Sequence, residues 1–66
     1  MKLRLNGAER EVPDDLTVAT LVTWLELVPE QVAVERNGTI VRRAGHAATP
    51  LTEGDVLEVV TLVGGG

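Results

Sequence analysis

The sequence contains no cysteine, phenylalanine or tyrosine, and it has a single tryptophan. Without cysteine, a disulfide, a thiolate metal site and a thiol nucleophile are all excluded. The 66 residues hold neither a charged-then-apolar leader nor an apolar run long enough to cross a bilayer, so export and membrane insertion are not expected. These features predict a cytoplasmic protein with one domain, close to the lower size limit for a stable core.

Basic residues are also scarce. Six Lys and Arg residues stand against ten Asp and Glu residues, which gives a net charge of −4. A nucleic-acid-binding protein needs a basic surface that displaces counterions from phosphates, so this class is not expected. The apolar fraction of 44% is ordinary for a globular domain.

Two Asn-Gly pairs predict two β-hairpins, because both residue types tolerate the positive φ of a type I′ turn. The first pair is Asn6-Gly7 and the second is Asn37-Gly38. The strands predicted around them cover residues 1–5 and 8–12, then 32–36 and 39–42.

Between the hairpins the sequence predicts one amphipathic helix. Thr17 is a suitable N-cap, and Asp14 and Asp15 precede it, where negative charge favours the positive end of the helix dipole. Pro29 marks the end of the helix or the loop beyond it. Apolar residues recur at i, i+3, i+4 and i+7, which forms one stripe of Val18, Leu21, Val22 and Leu25.

Three side chains need a separate explanation. A two-residue turn places Arg10 opposite Leu3 on the buried face, which an edge strand and an extended arginine stem would accommodate. Trp24 lies beside the apolar stripe and either covers the helix margin or anchors a partner. His46 lies in an irregular segment without a nucleophile or metal-ligand spacing, so we expect a solvated loop residue.

The last predicted strand, residues 56–63, carries apolar residues on both of its faces. Such a strand is expected at the centre of a sheet. The predicted order is β-β-α-β-β-β, an α+β domain over residues 1–63 with a mixed sheet of about five strands and the helix across one face. Either another protein covers the opposite face, or Glu58, Thr61 and flanking arginines solvate it.

Three glycines, residues 64–66, follow this strand as a predicted flexible tail. Glycine has no side chain to pack and loses the most conformational freedom on ordering, so the tail adds little to stability. A thin backbone that ends in a carboxylate suits insertion into the narrow active site of another protein. The alternative is a frayed terminus without a function.

Together these motifs resemble the ThiS family, the small sulfur-carrier proteins of thiamine thiazole synthesis, which have a ubiquitin-like β-grasp fold. The related small subunit of molybdopterin synthase shares the fold and the Gly-Gly end. It is typically longer and often has a proline near its tail, which this chain lacks. The residues that carry the resemblance are Leu5-Asn6-Gly7, Thr17-Val18-Ala19, the segment 32–38, Leu51-Thr52-Glu53-Gly54-Asp55 and Val63-Gly64-Gly65-Gly66.

The resemblance implies that the chemistry takes place on Gly66. An E1-like adenylyltransferase would use ATP and Mg²⁺ to adenylate its carboxylate, and a cysteine desulfurase or another persulfide donor would supply sulfur to make a thiocarboxylate. A thiazole synthase would then receive the sulfur. Gly64 and Gly65 would deliver the tail into these enzymes. The implied partner interface comprises Val59, Thr61, Leu62 and Val63.

The same resemblance implies that this chain supplies no catalytic residue, no bound cofactor and no metal site. Three alternatives remain open from the sequence: a sulfur carrier for molybdopterin synthesis, a ubiquitin-like modifier joined to lysines, and a β-grasp binding module with an incidental tail.

Overall fold

The computed structural model of the protein describes residues 1–62. Within this range the chain forms five strands, one α-helix and two short 3₁₀ helices. The strands are β1 (Lys2–Leu5), β2 (Ala8–Glu11), β3 (Val32–Arg36), β4 (Thr39–Val41) and β5 (Val56–Thr61), and the α-helix is α1 (Val18–Trp24). The 3₁₀ helices cover Pro29–Gln31 and Arg43–Ala48. The predicted order of elements is confirmed.

The strands form one mixed sheet in the order β2-β1-β5-β3-β4. Strand β5 lies at its centre, parallel to β1 and antiparallel to β3. The central position predicted from its two apolar faces is therefore confirmed. With α1 packed across one face, this is the β-grasp arrangement.

Both predicted hairpins form with two-residue turns. Asn6 and Gly7 adopt φ values of 50° and 83°, and Asn37 and Gly38 adopt 50° and 85°. These left-handed conformations are the ones that Asn and Gly adopt most readily. The turns set the pairing of each hairpin from its first residue pair onward.

The helix begins at the predicted cap. The Thr20 amide donates to Thr17 Oγ1 at 3.2 Å, and the Thr17 amide donates to Thr20 Oγ1 at 2.7 Å. This reciprocal capping box stabilises the first turn. Asp14, expected to favour the helix dipole, instead forms an ion pair with the Met1 ammonium at 2.9 Å.

The core lies between α1 and the sheet. Alternate residues of the strands face the helix, and the predicted helical stripe packs against them. Within the stripe, Leu25 is only partly buried because it follows the last helical residue. The buried apolar side chains are Leu3, Leu5, Val12, Val18, Leu21, Val22, Val32, Val34, Leu51, Leu57 and Val59.

Arg10 of β2 and Trp24 of α1 are in contact. Arg10 lies on β2, opposite Leu3 of β1, and β2 is an edge strand, as expected. Its guanidinium carbon lies 5.2 Å from the centroid of the Trp24 ring. This cation–π contact places the Arg10 guanidinium over the indole at the margin of the core. The position of Arg10 on an edge strand is confirmed by the strand order.

The expectation for His46 is wrong. Its side chain is only 4% exposed, and Nε2 lies 3.1 Å from the Val41 carbonyl oxygen. The 3₁₀ helix Arg43–Ala48 turns the ring inward, where it serves packing and a backbone hydrogen bond.

Leu21→Ala tests the core. Leu21 has no exposed surface, and removing a fully buried leucine side chain costs about 2–5 kcal/mol through lost burial and the cavity left behind. Urea denaturation should therefore show a large loss in the free energy of unfolding. The control is Val28→Ala, because Val28 is 49% exposed, and its loss should stay within about 0.5 kcal/mol. Equal losses for the two variants would contradict this core.

Candidate functional site

The candidate site is the end of β5, where the chain leaves the sheet. On the β3 side, Thr61 pairs with Val32, and the Leu62 amide donates to the Gln31 carbonyl at 2.6 Å. The backbone is therefore fixed on this side as far as Leu62. The glycine tail and Val63 lie outside the described residues.

On the opposite side, Asn6 extends a short ladder. The pairing of β1 with β5 stops at Leu5 and Leu57. Beyond it, the Asn6 backbone amide donates to the Leu57 carbonyl at 2.9 Å. The Asn6 side chain then donates from Nδ2 to the Val59 carbonyl at 3.0 Å and accepts from the Val59 amide at Oδ1 at 2.8 Å. One amide side chain thus takes the place of a further strand residue.

Asn37 makes a related contact at the start of β5, where its side chain accepts from Val56 and donates to Asp55. Its backbone amide donates to the Val56 carbonyl at 2.8 Å, and its Oδ1 accepts from the Val56 amide at 2.9 Å. Sequence analysis assigned both asparagines to turns and missed these side-chain contacts. The turn pattern does not require these contacts, because glycine would suit the same positions; the asparagine side chain adds an amide that can donate and accept hydrogen bonds.

Asp55 joins three segments immediately before β5. Its carboxylate accepts from Arg36 Nε at 2.9 Å, from Asn37 Nδ2 at 3.1 Å, and from the amide and hydroxyl of Thr52 at 2.8 and 3.1 Å. Burial favours the neutral acid, but the hydrogen bonds from Thr52, Asn37 and Arg36 outweigh it and lower the pKa of Asp55 below its ordinary value. The group is therefore an ionised anchor for the turn.

The face of the sheet opposite α1 is called the open face. On β5 it carries Val56 and Val60, which are 42% and 53% exposed, and on β4 it carries Ile40, which is 70% exposed. No described element packs over these residues. The expectation that one face of β5 would lack cover from this chain is confirmed for residues 1–62.

Of the residues predicted as the partner interface, the three that the structure describes lie in different environments. Val59 is only 7% exposed and belongs to the core, so its side chain does not lie on the open face; the neighbouring Val60 does. Thr61 is exposed and pairs with Val32, a core residue, which places it on the helix side at the end of the sheet. Leu62 is 58% exposed at the exit of the strand.

Residues 1–62 meet the requirements neither of a metal site nor of a membrane-spanning helix. No three His, Asp or Glu side chains of this range are close enough together to hold a metal ion. In the same part of the chain, no helix has the length and apolar character needed to cross a membrane. One shallow groove lies on the open face, lined by Ala33, Val34, Glu35, Ile40, Glu58 and Val60.

Comparison with known proteins places this geometry in a family. The model of the ThiS family matches residues 3–66, which is nearly the whole chain and includes the glycine tail. The chain belongs to the ThiS family. The sulfur carrier protein ThiS of Bacillus subtilis is 35% identical over 65 residues, which cover 97% of this chain and 98% of that protein.

Two further ThiS-related comparisons extend this result. The crystal structure of the thiamine biosynthesis protein (ThiS) of Geobacter metallireducens superposes with a TM-score of 0.85 at 35% identity, with full coverage of both chains. A thiazole synthase of Paramagnetospirillum magneticum is 42% identical over 66 residues, covering all of this chain but only 20% of that protein. The chain therefore spans about a fifth of the length of this relative.

Asn6→Gly tests the extended ladder of this ThiS-family chain. Glycine keeps the turn conformation and removes the side-chain amide, so two hydrogen bonds to Val59 are lost at about 0.5–1.5 kcal/mol each. Amide hydrogen exchange, followed by NMR, should accelerate most at Val59. The matched control, Asn37→Gly, should accelerate exchange most at Val56. The same exchange pattern in both variants would contradict separate roles.

Asp55→Asn tests the anchor. Because the folded pKa of Asp55 lies below the unfolded value, its stabilisation is complete above about pH 4 and is lost as the pH falls through the folded pKa. The wild-type free energy of unfolding should therefore fall more steeply from about pH 5 to pH 3 than that of the variant. At neutral pH the variant should lose about 1–3 kcal/mol. Parallel pH profiles from urea denaturation would be inconsistent with this role.

Proposed function

We propose that this protein is a sulfur carrier that provides sulfur for the thiazole moiety of thiamine through a thiocarboxylate on Gly66. The observation that carries the proposal is the match to the ThiS family as far as residue 66. The fold supports it, because β5 is hydrogen-bonded on both sides, and in the sequence only Leu62 and Val63 separate it from the three glycines. The hydrogen-bonded strand would hold the start of the tail in place, and the tail itself would contribute only backbone atoms.

The chemistry requires activation of Gly66. A free α-carboxylate has a pKa of about 3.3–3.7 and is ionised at neutral pH, so it is a poor electrophile. Attack of the carboxylate oxygen on the α-phosphorus of ATP, with Mg²⁺ in the enzyme, releases pyrophosphate and forms an acyl-adenylate. The terminal sulfur of a persulfide then displaces AMP to form an acyl disulfide. A thiol attacks its S–S bond, forms a new disulfide and releases the thiocarboxylate.

The partners follow from this sequence of steps. An E1-like adenylyltransferase performs the activation, a cysteine desulfurase or another persulfide donor provides the sulfur, and a thiazole synthase consumes it. The similarity of the whole chain to a fifth of a thiazole synthase supports the last partner. A carrier domain joined to a synthase in one chain would act beside it.

The open face is the surface on which an activating partner would bind. Its exposed apolar side chains, Val56, Val60 and Ile40, lie on the strand that leads to the tail and on β4. Several large apolar side chains exposed on one face of a sheet favour a binding role for that face. Binding here would place the tail in a fixed direction relative to the enzyme.

Intact-protein mass spectrometry tests the proposal directly. After incubation with an E1-like adenylyltransferase, ATP, Mg²⁺ and a persulfide donor, one oxygen should be replaced by sulfur, and fragmentation should map it to Gly66. The variant Gly65→Val should fold but fail to support ATP–pyrophosphate exchange, because its side chain widens a tail that must enter a narrow channel. The matched control is Gly45→Val, since a Cβ at Gly45 meets no atom within 4 Å.

Several outcomes would contradict the proposal. Undiminished ATP–pyrophosphate exchange with Gly65→Val would show that activation does not require a tail without side chains. A lysine-linked conjugate as the product would indicate a ubiquitin-like modifier. Full activity after deletion of Gly65 and Gly66 would indicate a binding module with an incidental tail.

A further inference from the structure

Two carboxylates lie side by side at the centre of the open face. Glu35 on β3 and Glu58 on β5 are directly paired in the antiparallel register. Directly opposite residues of this kind have Cβ atoms about 4.5–5.5 Å apart, and like charges in such a pair destabilise the sheet. Glu35 and Glu58 are called the acid pair below.

The acid pair is not neutralised within residues 1–62. The ion pairs of this range join the Met1 ammonium to Glu11 and Asp14, Lys2 to Glu9, and Arg36 to Asp55. Arg4 lies on the same face, opposite Val56, but forms no ion pair with Glu58. No ion pair of residues 1–62 therefore offsets the repulsion between the two carboxylates.

The surroundings of the acid pair are apolar. The groove on the open face has both carboxylates in its lining, and its other exposed side chains are Ala33, Ile40 and Val60. Ile40 is opposite Glu35 across β3 and β4, and Ala33 is opposite Val60 across β3 and β5. A group that fits this groove needs an apolar part for its floor and a positive charge for the pair.

We propose that the acid pair binds an arginine side chain of the activating enzyme, next to an apolar side chain of that enzyme which fills the groove. This inference rests on the proposed function and names what the open face recognises. A guanidinium group is planar, weakly hydrated and able to contact both carboxylates, and its aliphatic stem packs on valine and isoleucine. Its binding relieves the repulsion present in the free carrier.

Other occupants fit this surface less well. Two carboxylates do not complete a metal site, and no third ligand lies near them within residues 1–62. A second copy of the chain is disfavoured, because a two-fold symmetric contact brings the same patch of both copies together. Each copy would contribute an acid pair, and each carries a net charge of −4.

The test compares Glu35→Gln and Glu58→Gln with the control Glu26→Gln. All three remove one negative charge, but Glu26 follows α1 and is not among the residues of the open face. The probe is the E1-like adenylyltransferase encoded in the same genome, and the readout is ATP–pyrophosphate exchange at increasing carrier concentration. The two test variants should raise the half-saturating concentration about tenfold at low salt, whereas the control should leave it close to wild type.

Two further measurements separate recognition from folding. The difference between the test variants and wild type should shrink at high ionic strength, because salt screens charges on a protein surface. Urea denaturation should show the free variants to be at least as stable as wild type, since the substitution removes a repulsion. Loss of stability in step with loss of binding would overturn the proposal and assign the acid pair a structural role.

Three further outcomes test the arginine assignment and the proposed function. Exchange that wild type and the test variants support equally well would overturn this inference and leave the proposed function intact. Absence of any exchange with wild type would overturn the proposed function, and this inference with it. Self-association of wild type, detected by sedimentation and lost in the test variants, would identify a second copy as the occupant and overturn the arginine assignment.

Discussion

The central strand depends on its hydrogen bonds with two asparagine side chains. Backbone pairing between β1 and β5 ends at Leu5 and Leu57, and the amide of Asn6 continues it to Val59. Asn37 supplies the corresponding contact at Val56, at the start of the strand. Because a backbone group without a partner is costly unless water reaches it, these two side chains let short flanking strands hold a longer central one. The turn residues are therefore also sheet residues.

This arrangement links the core to the open face through the register of one strand. Side chains alternate along β5, so Leu57 and Val59 face the helix while Glu58 and Val60 face outward. A shift of one residue would bury the Glu58 carboxylate and expose Leu57. The hydrogen bonds that Asp55 accepts immediately before β5 oppose such a shift. The burial of the core and the set of side chains on the open face thus depend on the same few contacts.

The sequence predicted the parts of the fold that local patterns determine. Asn-Gly pairs fixed both hairpins, the threonine cap fixed the start of α1, and a strand apolar on both faces indicated a central position. The assignment of β5 side chains to faces was less secure, because Val59 and Val60 are equally apolar and periodicity does not distinguish them. Burial of His46 and the reach of Asn6 to Val59 depend on contacts between distant segments, which no local pattern encodes.

If the acid pair binds the activating enzyme as proposed, it would also limit where the Gly66 carboxyl carbon lies in that enzyme. An extended chain spans at most about 3.3–3.6 Å per residue, so the eight residues from Glu58 to Gly66 span no more than roughly 29 Å. Under the proposed function, the backbone of Glu58 would therefore lie within that distance of the site that adenylates Gly66, and the arginine would lie within the further reach of the Glu58 side chain. Because β5 is hydrogen-bonded through Leu62, the direction of the chain is fixed up to that residue. Recognition on the open face would consequently restrict both the distance and the direction in which the tail enters the enzyme, which lowers the entropic cost of aligning the carboxylate with ATP.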